Sequence, residues 1–149
     1  MAVTRVERII DAPAADVFRA VADVETLARA LPHVVAVEVL SDRRRGVGTR
    51  FRETRDLGGR LASMVLEVVE YVEAERVRLR ADSGGTIWES VFAVEAVGDQ
   101  TRLVAELEPQ AYRLLPKVVN PWLRRGLTRG VAADLDAVKE WCELRTTTP

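Results

Sequence analysis

Glu53 and Arg55 stand two residues apart in Thr49-Arg50-Phe51-Arg52-Glu53-Thr54-Arg55, a run with the composition of a strand. A period of two puts both on one face. Arg50 and Arg52 turn the other face to water, so the pair shares the inner face with Phe51. Charges set among hydrocarbon are costly unless they bind each other or await a polar ligand. Burial raises a carboxylate's pKa, and an adjacent arginine lowers it. Raised, Glu53 is a general acid or base for enolisation, aldol cyclisation or dehydration of a poly-β-carbonyl chain. Lowered, the two form an inert ion pair, wet at a cavity mouth. Tyr112 adds a phenol and completes the catalytic candidates, which need no cofactor.

Other reactive residue types carry less. His33 is the single histidine and has no cluster of carboxylates or thiols around it, so no metal site is expected and its role is structural or on the surface. Ser90 lacks a base and a nucleophile-elbow sequence. Cys142 falls on a buried stripe and is expected to be inert. Gly58-Gly59 and Gly84-Gly85 have hairpin-turn context rather than that of a nucleotide loop. Arg43-Arg44-Arg45 is read as a solvated turn, with contact to anionic lipid headgroups as the alternative. Arg8 faces inward or outward, depending on the alternation of the first strand.

The elements that must position these residues follow from periodicity. Leu123, Leu127, Val131, Leu135, Val138 and Cys142 recur at helical spacing and predict an amphipathic helix from Pro121 to Leu144. Residues 3–10 read as a strand. Asp11-Ala12-Pro13 ends it, with Pro13 at the first position of a short helix that buries Val17, Phe18 and Val21. Asp23 is expected to cap a second short helix through its carboxylate, and Pro32 ends that helix. Six strands follow, over 34–40, 49–57, 61–72, 76–81, 86–97 and 101–108, with connections short enough for antiparallel pairing. Outward charges mark the wet side of five of them. Their alternates, among them Met64 and Leu66, Val77 and Leu79, Trp88, Ser90 and Phe92, then Leu103, point inward. Residues 110–122 are apolar but carry Pro116 and Pro121, which predicts a kinked, mobile rim or lid.

With 149 residues, 48% apolar, 30% charged and a net charge of −1, the chain reads as one domain over 1–145 with a frayed tail at 146–149. Near-neutral charge argues against nucleic acid as a partner. A lone cysteine and a charged start without an apolar leader point to the cytoplasm. No run of eighteen apolar residues is present to span a membrane.

Taken together, Ala12-Pro13-Ala14-Ala15-Asp16-Val17-Phe18, the Leu31-Pro32-His33-Val34 junction, the glycine-punctuated strands and the Leu123…Leu127…Asp134-Leu135…Val138-Lys139 helix resemble the polyketide cyclase/dehydrase branch of the START-like, or helix-grip, superfamily. The resemblance implies an α+β fold in which a curved antiparallel sheet and a long C-terminal helix enclose a cavity. It implies a small hydrophobic ligand, aromatic, polyketide-like or lipid, and offers no universal catalytic motif. The expected walls are Val37, Phe51, Met64, Leu66, Val77, Leu79, Trp88, Ser90, Phe92 and Leu103. Leu127 and Val131 of the helix, and Leu115 and Trp122 of the rim, complete them. Proton chemistry on the ligand is one reading. A lipid or quinone carrier, touching a membrane through its rim, is the second, an interaction domain whose cavity is filled by its own side chains is the third, and a monomer or a homodimer is expected.

Overall fold

The computed structural model describes residues 4–83, 86–111 and 121–147. Strand β1 (Thr4–Ile10) leads into helices α1 (Ala14–Ala22) and α2 (Val24–Ala30). Six further strands follow: β2 (Val34–Val39), β3 (Arg50–Asp56), β4 (Leu61–Val72), β5 (Arg76–Ser83), β6 (Thr86–Val97) and β7 (Gln100–Ala111). Helix α3 (Pro121–Thr147) closes the chain. This is the predicted α+β order. All seven strands form one antiparallel sheet in the order β1-β7-β6-β5-β4-β3-β2.

The register confirms the predicted inner face. Phe51 pairs with Leu66, and Glu53 with Met64 on one side and Val37 on the other. Val77 lies between Tyr71 and Phe92, and Leu79 between Val68 and Ser90. Tyr71 reaches this face only because a register shift between Val68 and Glu70 inserts an extra residue into β4. Its ring then meets Phe18 edge-on at 5.2 Å. Among the described residues β1 pairs with β7 as far as Leu107, and Pro109 lies beyond that last pair.

Helix α3 is held along β1 by polar ties. Arg8 pairs with Asp136 at 2.7 Å, Lys139 Nζ donates to the Ile9 carbonyl, Glu143 accepts the Asp11 N–H, and the Thr4 and Thr128 hydroxyls share a hydrogen bond. Arg8 therefore lies on the inner face with Val6 and Ile10. From its other flank α3 reaches β3, where Asp134 grips Arg55. Strands β1 and β3 are five gaps apart, roughly 24 Å if the sheet were flat at about 4.8 Å per gap. A helix with its side chains is only about 10–12 Å wide. The sheet must therefore curl around α3.

Burial on the concave face is uneven. At the end where α1 packs on β5, β6 and β7, Phe18, Ile10, Val77 and Leu103 are fully buried. Toward the opposite end Trp88 and Ser90 are half-buried, and Met64 is 42% exposed although it faces inward. The side chains of this face are packed tight at one end and partly exposed at the other.

Several local expectations change. Pro13 is the cap residue before α1 rather than its first helical residue. Asp23 occupies the cap position of α2 but makes no side-chain cap bond, because its carboxylate is taken by the Tyr71 hydroxyl and Arg45. Helix α3 runs on to Thr147, three residues past the expected end. Strand β7 likewise takes in Gln110 and Ala111, the start of the expected rim.

Candidate functional site

Arg55 sits between two carboxylates. Its Nε donates to Glu53 on the same strand, and its Nη1 donates to both oxygens of Asp134 at 3.0 and 2.9 Å. The side chains of Glu53, Arg55 and Asp134 are 8%, 31% and 15% exposed. Strand alternation aims the first two inward, and Asp134 comes from the flank of the α3 stripe next to Val131, Leu135 and Val138. A cation shared by two anions carries a formal net charge of −1 on a face that is mainly apolar around it.

Burial pushes the Asp134 carboxyl above the ordinary aspartate range, against the pull of Arg55; Glu53 adds to the rise and His33 opposes it. Burial also disfavours a charged Arg55, but Asp134 and Glu53 outweigh that and raise its pKa. The arrangement is thus a fixed guanidinium with a carboxyl group whose proton affinity is increased. It can polarise a carbonyl oxygen and exchange a proton beside it.

The other expected residues divide by burial. Phe51 and Leu103, expected among the walls, are fully buried in the core. Leu79 is nearly as buried. Leu66, Trp88, Ser90 and Phe92 on the sheet, and Leu127 and Val131 on α3, keep part of their surface open. Tyr112 and Leu115 lie outside the described residues, as do most of the expected rim and the side chain of Trp122. Gly84-Gly85 also falls outside them. His33 is exposed, yet near enough to act on Asp134.

The arginine turn is exposed, as expected, and two of its charges are paired. Arg44 pairs with Glu25 at 3.0 Å, while Arg45 bonds Tyr71 Oη and pairs with Asp23 and Glu73. Two of the three charges thus tie the turn to α2 and to the β4–β5 end, where acids happen to converge. Asp134 is the site residue that sequence reasoning missed. The available signal was a carboxylate at helical spacing from Val131, Leu135 and Val138, on a stripe that should have held none.

A family model described as polyketide cyclase/dehydrase and lipid transport matches residues 1–143. The chain belongs to this family. Among solved structures, this polyketide cyclase/dehydrase-type chain is similar to TTHA0849 from Thermus thermophilus, at 25% identity and a TM-score of 0.74, over 97% of this chain and 99% of that one. It is similar in fold to a START superfamily protein from Mycobacterium smegmatis, at 17% identity and a TM-score of 0.76, covering 95% and 97% of the two chains. The Zhui aromatase/cyclase from Streptomyces sp. R1128 matches at 20% identity and a TM-score of 0.73, covering 97% and 95%. No curated protein sequence matches the chain.

Proposed function

We propose that the protein binds a small aromatic or polyketide-like molecule against the concave face and catalyses its cyclisation or dehydration by proton transfer. The observation that carries this reading is the Glu53–Arg55–Asp134 cluster, an ionisable group of three on the mainly apolar concave face, where Leu66, Trp88 and Phe92 keep part of their surface exposed. Apolar walls fold a flexible poly-β-carbonyl chain by shape and so supply proximity. Arg55 donates to a carbonyl oxygen of the bound chain. Asp134, as carboxylate, removes a proton from the adjacent carbon. The resulting enolate carbon attacks a second carbonyl of the same molecule, and the new alkoxide takes the proton back from Asp134. Loss of water follows when a second α-proton goes to the carboxylate and the hydroxyl leaves with a returned proton. Glu53 holds Arg55 in place and balances its charge.

Conversion of a synthetic poly-β-ketone, followed by mass spectrometry beside ligand binding, tests the reading. Asp134→Asn should lower turnover by about 10²-fold or more, the usual worth of a positioned acid or base, with binding changed only a few-fold. Unchanged turnover in both Asp134→Asn and Glu53→Gln overturns the catalytic assignment. Binding that weakens in Trp88→Ala and Phe92→Ala, with no conversion by the wild type, points to a carrier of hydrophobic molecules instead.

A further inference from the structure

Away from the concave face, α1, α2 and the end of α3 form an open groove of about 740 Å³. Three arginines line it, one from each helix: Arg19, Arg29 and Arg145. Asp16 is the acid among its lining residues, and it stands 4.0 Å from Arg19 in an exposed pair of little strength. Arg29 has no ion pair among the described residues. Arg145 lies over the Trp141 ring, 4.8 Å from its centroid, and has no ion pair among the described residues. Three guanidiniums against one carboxylate give a local positive excess in a chain of net charge −1. The same groove presents apolar surface, from half-buried Trp141 and from Leu144, which is 59% exposed.

We propose that this groove is a second binding site, for a soluble organic anion: a carboxylate or phosphate carried on an aromatic or short acyl skeleton. Converging like charges are unfavourable when unanswered, and an anion relieves them. The planar fork of arginine suits carboxylate and phosphate oxygens, and the Trp141–Leu144 side receives the apolar part. Concavity and volume fit a small molecule rather than a flat macromolecular partner, since ligand clefts run from about 300 to 1,000 Å³. The inference is independent of the chemistry on the concave face.

Titration with 1-naphthyl phosphate, followed by ¹⁵N NMR and calorimetry, tests it. The indole N–H of Trp141, identified by its absence in Trp141→Phe, should shift, and that of Trp88 should not. Inorganic phosphate and 1-naphthol should each bind at least tenfold more weakly. Arg29→Gln should weaken binding about tenfold and Arg29→Gln with Arg145→Gln about a hundredfold, whereas Arg60→Gln, on the β3–β4 turn, should leave it unchanged. Retained spectral dispersion shows that each variant is folded. Shifts at Trp88 instead of Trp141, equal affinity for inorganic phosphate, or wild-type affinity in the double variant would each overturn the proposal. So would sedimentation with phosphatidylglycerol vesicles, but not phosphatidylcholine ones, in the absence of naphthyl phosphate binding, because the patch would then face a membrane.

Discussion

Asp134 and Glu89 are both carboxylates gripped by arginine, and they titrate in opposite directions. Burial dominates at Asp134 and raises its pKa. Its stabilising contribution is therefore full below the unfolded value of about 3.9 and is lost as pH rises through the higher folded value. Glu89 faces outward on β6, as its alternation predicts, but it is buried because Arg78 and Arg80 fold over it at 2.8 and 2.7 Å. Its hydrogen bonds to Arg80, and then to Arg78, hold it below the usual range. Its contribution is full above about 4.3 and lost as pH falls through the lower folded value. Urea melts between pH 3 and 8 should show Glu89→Gln losing about 1–3 kcal/mol at neutral pH, with the deficit closing in acid. Arg55→Gln should behave differently, losing roughly 3 kcal/mol at pH 7 and recovering as pH falls, because it strands two carboxylates. Burial also pushes the Cys142 thiol up to about 11, so a thiol reagent at pH 8 should label it only after unfolding. Strand parity made the inward placement of Glu53 and Arg55 legible in the sequence. A carboxylate on the α3 stripe was legible at Asp134, but its pairing with Arg55 was not, because a contact across 79 residues leaves no local trace.

At the level of elements, alternation and helical spacing carried most of the information. Arg76, Arg78 and Arg80 against Val77 and Leu79 fixed the faces of β5, since one-sided burial leaves only one workable register. The Gly58-Gly59 turn was equally readable. Both residues have positive φ, 77° and 91°, the conformation a two-residue hairpin needs. Alanine at either position meets no atom within 4 Å, so the cost of about 1–2 kcal/mol expected in thermal melts is purely that of the backbone conformation. On α3, Leu135 is fully buried and Leu144 exposed. Leu135→Ala should cost about 2–5 kcal/mol, and Leu144→Ala less than about 0.5, in chemical denaturation. Capping was the misread signal. Asp23 has the right type and place, but the bulge in β4 brings Tyr71 within reach and a competing tertiary bond wins.

For the whole molecule, the curled sheet follows from α3 touching both β1 and β3, and under the proposed function a hydrophobic guest lies against its concave face. Such a guest should protect the fold by mass action, by about 2.7 kcal/mol at a hundred times its Kd, visible as a rise in Tm with guest concentration. The strand alternation announced a one-sided interior but could not say which inward side chains would be packed tight and which left open. That depends on where α1 plugs the curve. The same architecture sets a timetable for assembly. Thr4 pairs with Leu107, and the ties from β1 to α3 bridge 124 to 132 residues. A nascent chain emerging from the ribosome therefore holds β1 without its neighbour until about a hundred more residues have been added, and neither that strand nor the hollow behind it can settle before then. Chaperones that shield unpaired strands should find their substrate in that interval.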